Sequence, residues 1–448
     1  MKEYRDRLWT EIFDIPLFDV HTHIDALHMS ARGLHDILLY HMVVSDLYSA
    51  GCPDGSRLSE EPGESEVSGR MERALPYLPY IENTSCYWGV RLILRDLYGW
   101  DKPVDAGNWR EIHQIIADRY KEPSWSREII KKANITRACT ELWRGHGDIA
   151  GDVFQYSLEW AFFTRCQWGQ YDTALLELEH AWGQDEPGAP LPVTLDRESL
   201  RTEKTIRTLD DVKEAIRHYC ARIPYGKVIS AASHLSTDIS YAPVTDAQME
   251  EALQNREKAG VKERDIYANY INEIFLNTVE TGGNDIMLQF SAGAEPLPFE
   301  TGSKLRTKTV FELASMFARH PKIRFCLFLS SGHQNQAVCT LARELPNVSV
   351  AGYWWHNFFP AFMQRVIGER LDMVAANKQL GFFSDAYCVD WMYAKSVIVR
   401  KQLAEVLAAK IDQGQYTFEA AIRIAMQILN ETPQTLLGMK AGHFDSQL

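Results

Sequence analysis

Two histidines stand two residues apart in Phe18-Asp19-Val20-His21-Thr22-His23, at the end of a short apolar run that begins at Ile15. On an extended strand, side chains at i and i+2 leave the same face, so both imidazoles can converge on one ion at about 2.0–2.1 Å. The plainer alternative is a pair of polar residues where a strand emerges. Position favours the ion. Barrels and open α/β sheets gather their chemistry at the carboxyl ends of strands, and these histidines follow directly on Leu17 to Val20. Further ligands should then come from other strand ends.

One such end is Gly381-Phe382-Phe383-Ser384-Asp385, apolar until a carboxylate closes it. Alone, Asp385 reads equally as a ligand, a proton acceptor or the cap of the next helix. Beside the histidine pair the ligand reading gains, and His21, His23 and Asp385 become the expected metal site. Two imidazoles and a carboxylate suit one divalent ion, zinc first, with manganese or iron as alternatives.

The elements that must position these groups follow from hydrophobic period. Short β-branched or aromatic runs occur at Pro16–His21, Ile135–Glu141, Tyr156–Phe163, Lys227–Ser233, Ile286–Ser291, Ile323–Leu329, Val348–Trp354 and Gly381–Asp385. Eight runs, most followed by a helical pattern, predict an α/β fold, a TIM-like (β/α)8 barrel rather than a doubly wound sheet. Thr208 with Asp211, and Thr245 with Gln248, carry helix-start signals. After Thr417, residues Phe418, Ala421, Ile422, Ala425 and Leu429 recur at helical spacing, which predicts one apolar face laid on the barrel. Residues 52–132 are too long for a simple βα loop. They open with turn-rich, acidic sequence and turn helical and aromatic, so they read as an insertion after the first strand within a single 448-residue domain, a lid or an oligomer contact.

Composition excludes several function classes. A net charge of −13 argues against a nucleic-acid groove and against anionic lipid, while leaving room for a local basic pocket that takes a small anion. There is no apolar stretch of membrane-spanning length, and the N-terminus is charged throughout, so the expectation is a cytoplasmic protein. The eight cysteines are scattered with no C-x-x-C pair and read as reduced core thiols.

FDVHTHI, LLYHMVVSDLYSAG, GYWWHNFFP and GFFSDAYCVDWMYAKSVIVRKQL together resemble the uronate isomerase family of the amidohydrolase superfamily. The resemblance covers most of the barrel and is weakest over the insertion. It implies a distorted barrel binding one divalent metal and interconverting an aldose uronate with its ketose, such as glucuronate with fructuronate. By position it implies His21, His23 and Asp385 as metal ligands, with His41, Arg165 and Trp355 at the substrate. Arg165 would take the sugar carboxylate as a bidentate fork; otherwise it is a surface ion pair.

Two departures bear on the substrate. Tyr387 stands where the family has an arginine, and Ser291, a poor metal ligand, stands where it has a histidine. His234 matches another family histidine and reads as a ligand, an acid or a loop-bonded ring. Tyr387 could donate to an oxyanion or simply pack, and Trp354, Trp355 and His356 lie on what is otherwise a core strand. Proton transfer between C2 and C1 needs a base and a stabilised enediolate oxygen, which Asp385 and a metal would supply. A metal-dependent hydrolase of the lactonase type and a non-catalytic barrel are the competing readings.

Overall fold

The computed structural model describes residues 2–53, 66–145, 153–159, 172–184, 203–235, 239–283, 285–292, 294–296, 303–305, 308–353 and 358–439. Eight parallel strands form one curled sheet in chain order. They are β1 (Leu17–Asp19), β2 (Ile135–Glu141), β3 (Phe154–Glu159), β4 (Val228–His234), β5 (Met287–Ala292), β6 (Arg324–Leu329), β7 (Val348–Ala351) and β8 (Gln379–Leu380). α-Helices follow most of the strands and cover the sheet, giving the distorted (β/α)8 barrel that the eight runs imply.

Closure of the ring occurs just beyond the paired strands. The Val20 amide donates to the Phe382 carbonyl (3.4 Å), the Asp385 amide to His21 O (3.0 Å) and the His23 amide to Ala386 O (2.9 Å). The first and last strand extensions are thus bonded together where both histidines and the aspartate emerge. Residues 381–385 therefore do not continue β8 in the sheet, as the sequence run suggests, because pairing with β7 stops at Leu380. Gly381 instead donates to Ile428 O at 2.6 Å, and a Cβ there would lie 2.9 Å from that same oxygen. Only glycine admits so close a backbone, and the strand is turned from β7 toward β1 at this point.

Several other strand limits move by a few residues. β1 is shorter than Pro16–His21, β4 runs one residue further than expected, to His234, and β7 ends at Ala351 rather than at Trp354. Only β2 keeps its expected bounds. The expected helix starts are present. Thr208 and Thr245 form capping boxes, and Thr417 caps Phe418–Met426, whose Phe418, Ala421 and Ala425 are buried.

Between β1 and β2 the described residues form the helices Leu34–Leu38, His41–Ser49, Val67–Ala74, Ser85–Tyr98, Trp109–Tyr120 and Trp125–Lys132 among others. Of these, Ser85–Tyr98 and Trp125–Lys132 pack on Val389–Asp412, the 24-residue helix that follows the last strand. That helix is buried along most of its length and braces both ends of the barrel. Arg400 donates to Ile15 O and Ala133 O (2.9 Å each) below β1 and β2, and Asp390 accepts from the Ala31 amide (2.8 Å) and Tyr98 hydroxyl (2.6 Å) above them. A small apolar plug including Phe18, Val20, Met287, Phe328 and Phe383 fills the barrel itself. The seven described cysteines are buried thiols. Among the described residues, no helix is long and apolar enough to cross a membrane.

Candidate metal centre

His21, His23 and Asp385 meet at the seam where the ring closes, each with one donor atom within 4.8 Å of the others. His23 Nε2 lies 3.1 Å from Asp385 Oδ1, and His21 Nε2 lies 3.8 Å from the same oxygen. Donors about 2.1 Å from a tetrahedral ion stand roughly 3.4 Å apart, so these separations bracket what one cation requires. The donor set fits as well, pairing two borderline nitrogens with one hard oxygen.

Each candidate ligand is held by its own local structure. Asp19, wholly buried below the histidines, accepts from the Ser384 amide (2.9 Å) and the His21 amide (3.4 Å), which ties the two strand ends together. Burial pushes its carboxyl up to about 7. The His21 ring packs edge-on against Phe328 and Phe383, with centroids 5.4 and 6.1 Å away. Asp385 adopts a left-handed backbone (φ 52°), a conformation aspartate tolerates better than most residues but one that still costs energy. Neighbouring carbonyls are pinned: Tyr40 hydroxyl donates to Asp385 O (2.7 Å), and buried Lys395 donates to both Tyr40 Oη (2.8 Å) and Ser384 O (2.5 Å).

Charge is distributed unevenly over the site. Burial lowers His21 to about 4 and also His41 to about 4, so both rings are neutral near pH 7 and keep a lone pair. Burial opposes charge on His23 too, but its contacts with Glu141 and Asp385 outweigh that and raise it well above the usual range. Asp385 is held well below the ordinary carboxylate range: burial disfavours its charge, and the bond from His23 more than compensates.

Among the other expected site residues, His41 is the first residue of helix His41–Ser49, with Nε2 3.8 Å from Asp385 Oδ2. Tyr387 is 47% exposed at the mouth and stacks on His23. His234 is the last residue of β4, paired in register with Ser291 of β5, and its side chain lies outside the described residues. Arg165, Trp354, Trp355 and His356 also lie outside them. Four contributors carry no obvious motif, namely Tyr40, Lys395, Glu141 and Arg144. Glu141 had a signal, since it ends β2 with a carboxylate as Asp385 ends its own run.

No family model matches this chain, and no curated protein matches it either. Solved structures do. Glucuronate isomerase from Caulobacter crescentus superposes with a TM-score of 0.79 at 15% identity, over 98% of this chain and 95% of its own. Uronate isomerase from Thermotoga maritima gives 0.74 at 16% identity, over 97% of both chains. Uronate isomerase from Bacillus halodurans C-125 gives 0.69 at 16%, over 98% of this chain and 97% of its own. At such identities the likeness speaks for architecture, and the chain has, over nearly its whole length, the fold of these three isomerases.

Proposed function

We propose that this protein is a metal-dependent aldose–ketose isomerase acting on a hexuronate of the glucuronate/fructuronate or galacturonate/tagaturonate type. The observation that carries the reading is the convergence of His21, His23 and Asp385 at the closed mouth of a barrel with the fold of uronate isomerases. These three side chains would hold one divalent ion, zinc by preference. When bound, the ion would act as a Lewis acid toward a substrate oxygen.

The chain's own groups account for the proton movements. The Asp385 carboxylate, ionised near neutral pH, takes the proton from C2, and the acid so formed, after exchange with solvent, delivers a proton to C1. His41, neutral and close to the second Asp385 oxygen, carries the matching proton from the C2 hydroxyl to the C1 oxygen, so that no proton is lost or gained overall. Tyr387 offers its exposed ring and hydroxyl at the mouth, and His234, the last residue of β4, is assigned as a further acid–base group. Arg165 is assigned to the substrate carboxylate and Trp355 to the sugar face. Buried thiols suit a reducing compartment, and we assign the protein to the cytoplasm. The helices between β1 and β2 are assigned as a lid or a homo-oligomer contact.

A zinc-loaded preparation incubated with a panel of hexuronates in heavy water, followed by NMR, tests the reading. The expected result is a ketose carrying deuterium at C1. Inert hexuronates beside an opened sugar lactone would favour a hydrolase on the same barrel, and an inert panel of both kinds would favour a non-catalytic barrel.

A further inference from the structure

His23 is gripped in a way that His21 is not. Glu141, at the carboxyl end of β2 and 5% exposed, meets His23 Nδ1 through Oε1. Its other oxygen lies 3.0 Å from Arg144 Nε, one turn further along the chain. The Arg144 guanidinium in turn lies over two rings, 4.3 Å from the centre of Trp143 and 5.6 Å from that of Tyr387. Tyr387 completes the circuit by stacking on His23, with centroids 4.9 Å apart and planes 22° from parallel. The imidazole is therefore fixed on an edge by a carboxylate and on a face by a ring, whereas His21 is packed by the rings of Phe328 and Phe383.

We propose that Glu141, buttressed by Arg144, is a positioning residue that fixes His23 as its Nδ1–H tautomer and so reserves Nε2 for the cation. The inference rests on the metal-centre reading above. With Nε2 given to a cation the His23 ring keeps one N–H, and an ionised carboxylate can only accept, so the contact with Glu141 keeps that hydrogen on Nδ1. The lone pair is then on Nε2, the nitrogen that faces Asp385. The other tautomer would set two lone pairs against each other in a buried contact. Arg144 supplies the countercharge that a buried carboxylate needs and holds its orientation. The stack with Tyr387 leaves the ring little freedom to rotate.

Zinc titration of the metal-stripped full-length protein against a competing chelator tests this without any substrate. Wild type is compared with Glu141→Gln, Glu141→Ala and Arg144→Met. Each zinc-free melting curve is recorded alongside, and the ¹⁵N spectrum of the histidine rings is taken after loading. Glu141→Ala should weaken zinc binding about 10–100-fold. Glu141→Gln, whose amide oxygen still accepts from Nδ1–H, should recover most of that loss, and Arg144→Met should fall between Glu141→Ala and wild type. The wild-type spectrum should show His23 protonated at Nδ1. Affinity of Glu141→Ala within twofold of wild type, or metal on Nδ1 of His23, would overturn the proposal. If Glu141→Ala fails to fold, Glu141→Gln, Arg144→Met and the wild-type ring spectrum decide it. Wild type taking up no zinc would instead remove the metal-centre reading, and this inference with it.

Discussion

Asp385 is where backbone strain and chemistry coincide. Its left-handed conformation is kept because the hydroxyl of Tyr40 holds its carbonyl and the ammonium of Lys395 holds the one before it. Tyr40→Phe removes a buried donor and leaves two partners short of a bond, which should cost about 1–3 kcal/mol in urea unfolding. The same variant should bind zinc more weakly, because the ligand it steadies would sample other backbone angles. Unchanged unfolding and unchanged zinc affinity together would show that the hydroxyl contributes nothing. The three converging positions, His21, His23 and Asp385, were legible in the sequence because they close apolar runs with residues of unmistakable chemistry. Tyr40 and Lys395 were not, since they act on main-chain carbonyls from helices distant in the chain, and no spacing announces such a bond. Glu141 ends the run 135–141 in the same manner, so the same rule marks it.

Among the elements, the last strand taught most. Gly381–Asp385 reads as an ordinary strand because it is buried and extended, yet its bonds go to residues 20–23 rather than to β7. Sequence period reports burial and extension but not the partner, so this transfer could not be read from it. Capping signals at Thr208 and Thr245 were reliable because a cap is a local bond, complete within one turn. Helix Val261–Gly282 is clasped to its neighbour Lys308–Arg319 by Glu273. This residue pairs with Arg319 (2.9 Å) and with buried His320 (3.2 Å). Burial disfavours the Glu273 charge, but bonds from His320 and Arg319 bring it down to about 2. A carboxylate lowered on folding contributes stability above its unfolded value of about 4.3 and loses it as pH falls toward 2. Glu273→Gln should therefore be about 1–3 kcal/mol less stable than wild type at pH 7, with the gap narrowing as pH drops below 4.5. Urea titrations at pH 7, 4.5 and 3.5 check this, and a gap that widens in acid would contradict it.

At the scale of the whole molecule, both ends of a long chain meet at one seam, with His23 and Asp385 362 positions apart. A cation there would staple the ring shut and favour the folded state by mass action. Free zinc at about 100 times its dissociation constant should add about 2.7 kcal/mol of stability, visible as a raised melting temperature that a chelator reverses. Barrel architecture was legible because eight apolar runs alternate with helical patterns. The substrate was less so, because Arg165 and Trp355 lie outside the described residues and the fold alone does not select a sugar. The claim on which the rest depends is that His21, His23 and Asp385 share one ion. Its most direct test is metal content by elemental analysis of wild type and Asp385→Gly after equilibration with zinc and desalting. Glycine accepts the left-handed backbone, so this variant keeps the turn and loses only the ligand. The account predicts about one zinc per wild-type chain and almost none in a folded Asp385→Gly protein. Equal zinc in both, or none in wild type, would contradict it.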